Sequence, residues 1–171
     1  MRPLLIGQAP GPRTDPDLPL FPLPVSSAGG RLCKFLGMST TQYLRTFDRV
    51  NLLREFPGRT GTDDKFPITK ARIAAQALRP LLAGREVLLM GRGVAQAFDL
   101  EIPFLEWREV PVRRSLPGHE HIARFGVVPH PSGRNRWHNS PENLTALSVF
   151  LGEWSERVLF TWPRQAQLME A

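Results

Sequence analysis

Chemistry is densest in one ten-residue stretch, His130-Pro131-Ser132-Gly133-Arg134-Asn135-Arg136-Trp137-His138-Asn139. A histidine can hold or release a proton near neutral pH, and the Pro-Ser-Gly behind it turns the chain sharply. Two arginines with a tryptophan are the mixture that grips phosphates and stacks or wedges bases. A solvated basic loop is the plain alternative, but a tryptophan is costly to leave exposed without a use. Two other segments carry related chemistry. Asn51 is a carboxamide inside the apolar run RVNLL. It is either a satisfied core amide or a reader of a pyrimidine edge, to which it offers one donor and one acceptor. Gly7-Gln8-Ala9-Pro10-Gly11 follows an apolar run, so its backbone amides can point at a ligand, although most such turns are only turns. His119 and His121 flank Glu120 at strand spacing; without a third ligand they read as surface residues.

These residues need elements to bring them together. Pro3–Gly7 (PLLIG) is a short apolar run stopped by glycine, which predicts a buried strand. Arg49–Leu53, Glu86–Met90 (EVLLM) and Gly126–Val128 supply three more, and Phe104–Arg114 alternates enough for an extended hairpin or edge element. Helices are predicted over Ala28–Leu36, over Ser39–Arg45 with Ser39 as cap, and over Thr69–Leu82 with Ile73, Ala77 and Leu81 on one face. A short helix follows over Gly93–Phe98. The last begins after the Ser140 cap, with Pro141 in its first turn and Glu142 favouring the dipole, and runs to about Leu159. Beyond Trp162 a frayed tail is expected. Strands separated by helices predict an α/β fold, a three-layer αβα sandwich around a central four-stranded, mainly parallel sheet. Gly91-Arg92-Gly93 also follows a strand and opens a helix. A dinucleotide fingerprint needs a third glycine where Gln96 stands, so this is a tight strand-to-helix turn. In such a fold ligands sit at the carboxyl ends of the strands. Three loops leave strand ends: Gln8–Val25 with six prolines, Arg54–Lys65 and His130–Asn139. They should converge on one face.

Composition bounds the remaining possibilities. With 171 residues and neither repeat nor linker, residues 1–171 form a single domain. The chain has 22 Lys+Arg against 16 Asp+Glu, a net charge of +6, and 19 of the 22 are arginine. Guanidinium forks match phosphate oxygens, which leans the charge toward nucleic acid, although genome composition alone can produce an arginine bias. A hydrophobic fraction of 42% is enough for an ordinary core. One cysteine, Cys33, excludes an internal disulfide and any zinc or iron–sulfur site built from several cysteines of this chain. No apolar run approaches the ~18–20 residues of a membrane span, and the apolar core of MRPLLIGQAPG is too short for a signal peptide. A reducing cytoplasm is the expected location.

Five segments together resemble the uracil-DNA glycosylase superfamily. GQAPG after the first strand is similar to its first motif. LPLFPLPVSSAGGRL resembles the segment of the iron–sulfur-type branch in which a Pro-Phe pair precedes an Ala-Gly helix start. VNLLREFPGRTG resembles the strand and loop carrying a base-reading asparagine. VLLMGRGVAQAF resembles the leucine-rich third strand and its turn, and VVPHPSGRNRW the last motif with its DNA-inserting loop. The resemblance covers about residues 3–155, in order and in register.

It implies a monofunctional DNA glycosylase that hydrolyses the N-glycosidic bond of uracil, or a related deaminated base, flipped out of DNA. Phe21 would stack on the base, Asn51 would bond its edge, and His130 would donate to O2 as charge grows on the leaving group. Ala9 and the amides near Gln8–Gly11 would complete the cradle. Ser132, Arg134, Arg136 and Trp137 would hold the opened duplex. The implied partner is uracil- or lesion-containing DNA; a monomer is expected, with no membrane, no cofactor and no metal, the four cluster cysteines being absent. Two departures stand out. Where relatives carry an acid or an asparagine in the first motif, this chain has Gln8 and Ala9. Gln8 can position water but cannot take its proton, so Asp15 and Asp17, later in the loop, are the substitutes, and the catalytic set becomes His130, Gln8 and Asp15. Gly11 stands where some uracil-specific relatives have a tyrosine that excludes the thymine methyl, so selectivity should be looser or enforced elsewhere. The alternatives are a DNA- or modified-base-binding module on the same fold that does not cut, and an enzyme acting on a small nucleotide or nucleoside.

Overall fold

Short apolar segments build the sheet because both of its faces are covered. In the computed structural model the backbone is described for residues 1–61, 63–114 and 120–169, and side chains for 1–61, 64–112 and 121–160. The chain runs β1 (Leu4–Gly7), α1 (Ala28–Phe35), α2 (Thr40–Thr46), β2 (Asp48–Asn51), β3 (Arg59–Thr60), β4 (Asp63–Asp64) and α3 (Ile68–Leu78). It continues through β5 (Glu86–Met90), α4 (Arg92–Ala97), β6 (Trp107–Arg114), β7 (Glu120–Val128) and α5 (Pro141–Met169), with 3-10 turns at Arg79–Leu82 and Arg136–Asn139. The main sheet has the order β2-β1-β5-β7-β6. β1 pairs in parallel with β2 and β5, and β5 with β7; only β6 is antiparallel, along β7.

Alternate residues of each central strand go to opposite layers. Leu4, Ile6, Val87 and Leu89 pack with Ala71 and Ala75 of α3 and Val94 and Phe98 around α4. Leu5, Leu88 and Met90 pack instead with Leu32 of α1, Tyr43 of α2, and Leu151 and Trp154 of α5. Apolar residues facing both ways are what a parallel sheet sandwiched between helices requires. The fold is therefore the expected αβα sandwich. The sheet has five strands instead of four, because the alternating segment before Arg114 joins β7 as an antiparallel edge.

Other expectations are corrected. The expected helix over Thr69–Leu82 is α-helical only to Leu78, and its stripe of Ile73 and, in the following 3-10 turn, Leu81 is exposed (65% and 68%), while α3 packs through Ala71 and Ala75. Small residues four apart let it approach closely, while the bulkier stripe points outward. The Arg54–Lys65 loop contains a two-stranded hairpin, β3–β4, turning near Gly61 in a left-handed conformation (φ 61°). The fourth core strand begins six residues earlier than Gly126, since pairing with β6 extends it. α5 continues past Leu159 and Trp162 to Met169, through good helix formers in QAQLM. His119 lies outside the described residues. Caps follow expectation: Ser39 and Gln42 form a capping box on α2, and the Ser140 hydroxyl accepts from the Asn143 amide. Among the described residues no helix is long and apolar enough to cross a membrane.

The carboxyl ends of β1, β2, β5 and β7 share one edge. β1 lies between its neighbours β2 and β5, so the chain changes direction of travel across the sheet there, and a crevice opens at that switch point.

Candidate functional site

A cavity of about 390 Å³ occupies that crevice, within the ~300–1,000 Å³ usual for small-ligand sites. The three expected loops meet in it: Gln8, Ala9, Asp15 and Phe21 come from the first, Asp64 and Lys65 from the second, and His130 and Ser132 from the third. Asn51 lines it from the end of β2.

Asn51 is placed by strand register. It pairs with Gly7 across the parallel β1–β2 ladder, and a Cβ at Gly7 would collide with the Asn51 carboxamide oxygen. Glycine at the end of β1 is what allows that carboxamide to lie across the strand end. Among the described residues no group hydrogen-bonds the Asn51 side chain, so its donor and acceptor remain available to a ligand. Gln8 extends from the same strand end, and its amide nitrogen lies against the turn at Gly91 and Gly93. Gly91 has φ 96° and starts α4 without a side-chain cap, as the tight-turn reading expects.

The Phe21 wall is tied down by buried contacts. The Tyr43 hydroxyl donates to the Leu20 carbonyl (3.0 Å), and the Ser27 hydroxyl to the Phe21 carbonyl (3.0 Å). Ser27 also caps α1 by accepting from the Gly30 amide. A Cβ at Gly29 would collide with the carbonyls of Leu20 and Phe21, so α1 can press on this segment only because glycine stands there. Leu20 adopts φ 49°, unusual for a leucine, and is held there by the Tyr43 bond and by burial of its side chain. Burial also raises the Tyr43 phenol far above its usual range, so it remains a donor at any physiological pH.

His130 follows β7 at the cavity floor. Its Nδ1 accepts the Ser132 backbone amide (3.2 Å), which leaves Nε2 as the protonated nitrogen of the neutral ring. Desolvation lowers its pKa to about 4, against an opposing pull from Asp64 and with some help from His138, so the ring is neutral at pH 7. Two donors fix the backbone here. Asn135 Nδ2 (3.1 Å) and His138 Nε2 (3.0 Å) both bond the His130 carbonyl, and the His138 ring stacks on Phe35 of α1.

The other sequence candidates are spread more widely. Asp15 lines the cavity and accepts from the Asp17 amide (2.9 Å), while Asp17 itself does not line it. Arg134 lies in an adjoining open groove with Arg13, Thr14 and Arg59, and pairs with Asp64 (3.5 Å). Arg136 is exposed on the 3-10 turn, away from the cavity lining. Trp137 is half-buried, edge-on to Phe104 and His138, and so turns into the protein. Among the described residues no three His, Cys, Asp or Glu side chains converge to hold a metal ion.

Sequence reasoning missed Asp64, Phe56, Tyr43, Ser27 and His138. Asp64 lies in the unforeseen hairpin, where it pairs with Arg59 (3.2 Å) as well as Arg134. Ser27 carried the one readable signal, a serine just before the AGG helix start. No protein-family model matches the chain, and no curated protein matches its sequence.

Proposed function

We propose that the protein is a monofunctional DNA glycosylase that removes uracil, or a related deaminated base, from DNA. The observation that carries this reading is the convergence of Phe21, Asn51 and a neutral His130 on one cavity at the strand ends. A base flipped into the cavity stacks on Phe21, and the Asn51 carboxamide complements a pyrimidine edge. The C1′–N1 bond breaks and its electron pair leaves with the base. The Nε2–H of His130 donates to O2 as that charge grows, a role suited to a neutral imidazole held in one tautomer. Water adds to C1′; Gln8 orients it and Asp15 takes its proton, as the loop's carboxylate in the cavity. The DNA strand runs along the groove of Arg13, Arg59 and Arg134. The test is abasic-site formation on single- and double-stranded oligonucleotides carrying uracil, hypoxanthine or xanthine. Cleavage after alkali at the modified position supports the reading, and absence of cleavage throughout the panel ends it.

One observation favours a second reading. Gln8 and Ala9 put no carboxylate in the first motif, and the Gln8 amide packs on the Gly91–Gly93 turn. A protein that binds the flipped base without hydrolysing it fits that arrangement. Measurable affinity for uracil-containing DNA with no turnover would select it.

A further inference from the structure

A second cavity, of about 760 Å³, lies beside the first between the Arg54–Lys65 loop and the start of α3. Phe56 and Lys65 line both cavities, so the two are neighbours sharing a wall. The second brings together three cations, Arg54, Lys65 and Lys70, with the aromatic rings of Phe56 and Phe66. Glu55 is the one carboxylate in its lining. Elsewhere Arg59, Arg72, Arg85, Arg108, Arg124 and Arg157 each pair with an aspartate or glutamate. Among the described residues, none of the three cavity cations has a carboxylate within 4.0 Å. Unneutralised cations beside aromatic faces suit a ligand with both a phosphate and a planar ring.

We propose that this second cavity is a subsite for the nucleotide adjoining the one whose base enters the first cavity. The cations hold its phosphate, and Phe56 or Phe66 offers a face to its base. This rests on the glycosylase reading for the contents of the first cavity and adds a substrate requirement to it. The preferred ligand is a single-stranded segment with at least one extra nucleotide on a defined side, since a duplex keeps the neighbouring base stacked away from the protein.

Short oligonucleotides containing 2′-fluoro-deoxyuridine, which resists hydrolysis, test this when extended by three nucleotides on the 5′ side only or the 3′ side only. Affinities are measured at several salt concentrations for the wild type, Lys65→Gln/Lys70→Gln and Lys70→Gln alone. Extension on one side should tighten binding about tenfold, as expected for one or two charge-assisted contacts. The double variant should lose that gain on that side only, with a salt slope shallower by ~0.7 for each contact removed. Both lysines are exposed, so unchanged melting temperatures are expected, and Lys70→Gln should show a smaller loss of the same kind. Equal losses on both sides, no loss on either, or no binding would overturn the subsite. An oligonucleotide bound with this side dependence by a protein that excises no uracil would refute the glycosylase reading and leave the subsite standing. Normal excision without side dependence would do the reverse.

Discussion

The cavity has two walls of different construction. The Phe21 wall is anchored inward: Tyr43 is fully buried, Gly29 presses on the Leu20 and Phe21 carbonyls, and Ser27 ties the segment to the start of α1. The hairpin wall is anchored outward, through Asp64 and its ion pairs to Arg59 and Arg134, whose side chains are 46–59% exposed. Buried hydrogen bonds and close backbone contacts hold one geometry regardless of salt. Exposed ion pairs contribute little and weaken as salt rises. The difference makes the Phe21 side of the cavity the fixed one and the hairpin side the one better able to adjust. The floor, His130, belongs with the buried wall, since His138 and Asn135 clamp its backbone from inside.

The largest effect comes from acid. The folded pKa of His130, about 4, lies below the ordinary 6.5, so the unfolded chain takes up a proton first as pH falls. The stability is complete above about pH 6.5 and is lost toward pH 4, on the order of 3 kcal/mol in all. Denaturant unfolding at several pH values should show that loss, and His130→Gln should lack this component. Gly29→Ala comes next. Forcing a methyl against two carbonyls should cost roughly 1–3 kcal/mol, and the displacement should weaken ligand stacking on Phe21, read as quenching or shift of a bound fluorescent base analogue. Tyr43→Phe leaves the Leu20 carbonyl without its donor and should destabilise by about 1 kcal/mol, equally in low and high salt. Asp64→Asn is the smallest, under about 1 kcal/mol, and 1 M salt should erase it. A salt-dependent Tyr43→Phe or a salt-independent Asp64→Asn would dissolve the distinction between the walls.

Local patterning is legible in the sequence, and contacts between distant segments are not. EVLLM and LLIG read as strands because residues facing two covered layers must all be apolar, and Ser39 and Ser140 announce their helices through local hydrogen bonds. The strand-end rule then brings Gln8, Asn51 and His130 into one crevice. What stays hidden depends on contacts distant in sequence. Nothing near Tyr43 reveals that its hydroxyl reaches Leu20, and Ile73 and Leu81 form a more persuasive stripe than the alanines that pack. The hairpin is two residues per strand, too short for any alternation, so Asp64 enters the cavity unannounced, as does Phe56 from the loop before it. Trp137 carries the opposite lesson. Its surroundings are basic and polar, yet the ring turns inward against Phe104.

Single-turnover uracil release decides whether this cavity hydrolyses a glycosidic bond, with wild type, His130→Ala and Asn51→Asp assayed side by side on the same uracil-containing oligonucleotide. An alkali-labile site is expected with the wild type, and a loss of about 10²–10³-fold in His130→Ala, the usual cost of removing an oxyanion donor. Asn51→Asp should lose activity as well, because a carboxylate no longer offers the amide donor. A wild type that releases no uracil, or variants as fast as the wild type, would rule out uracil hydrolysis at this site.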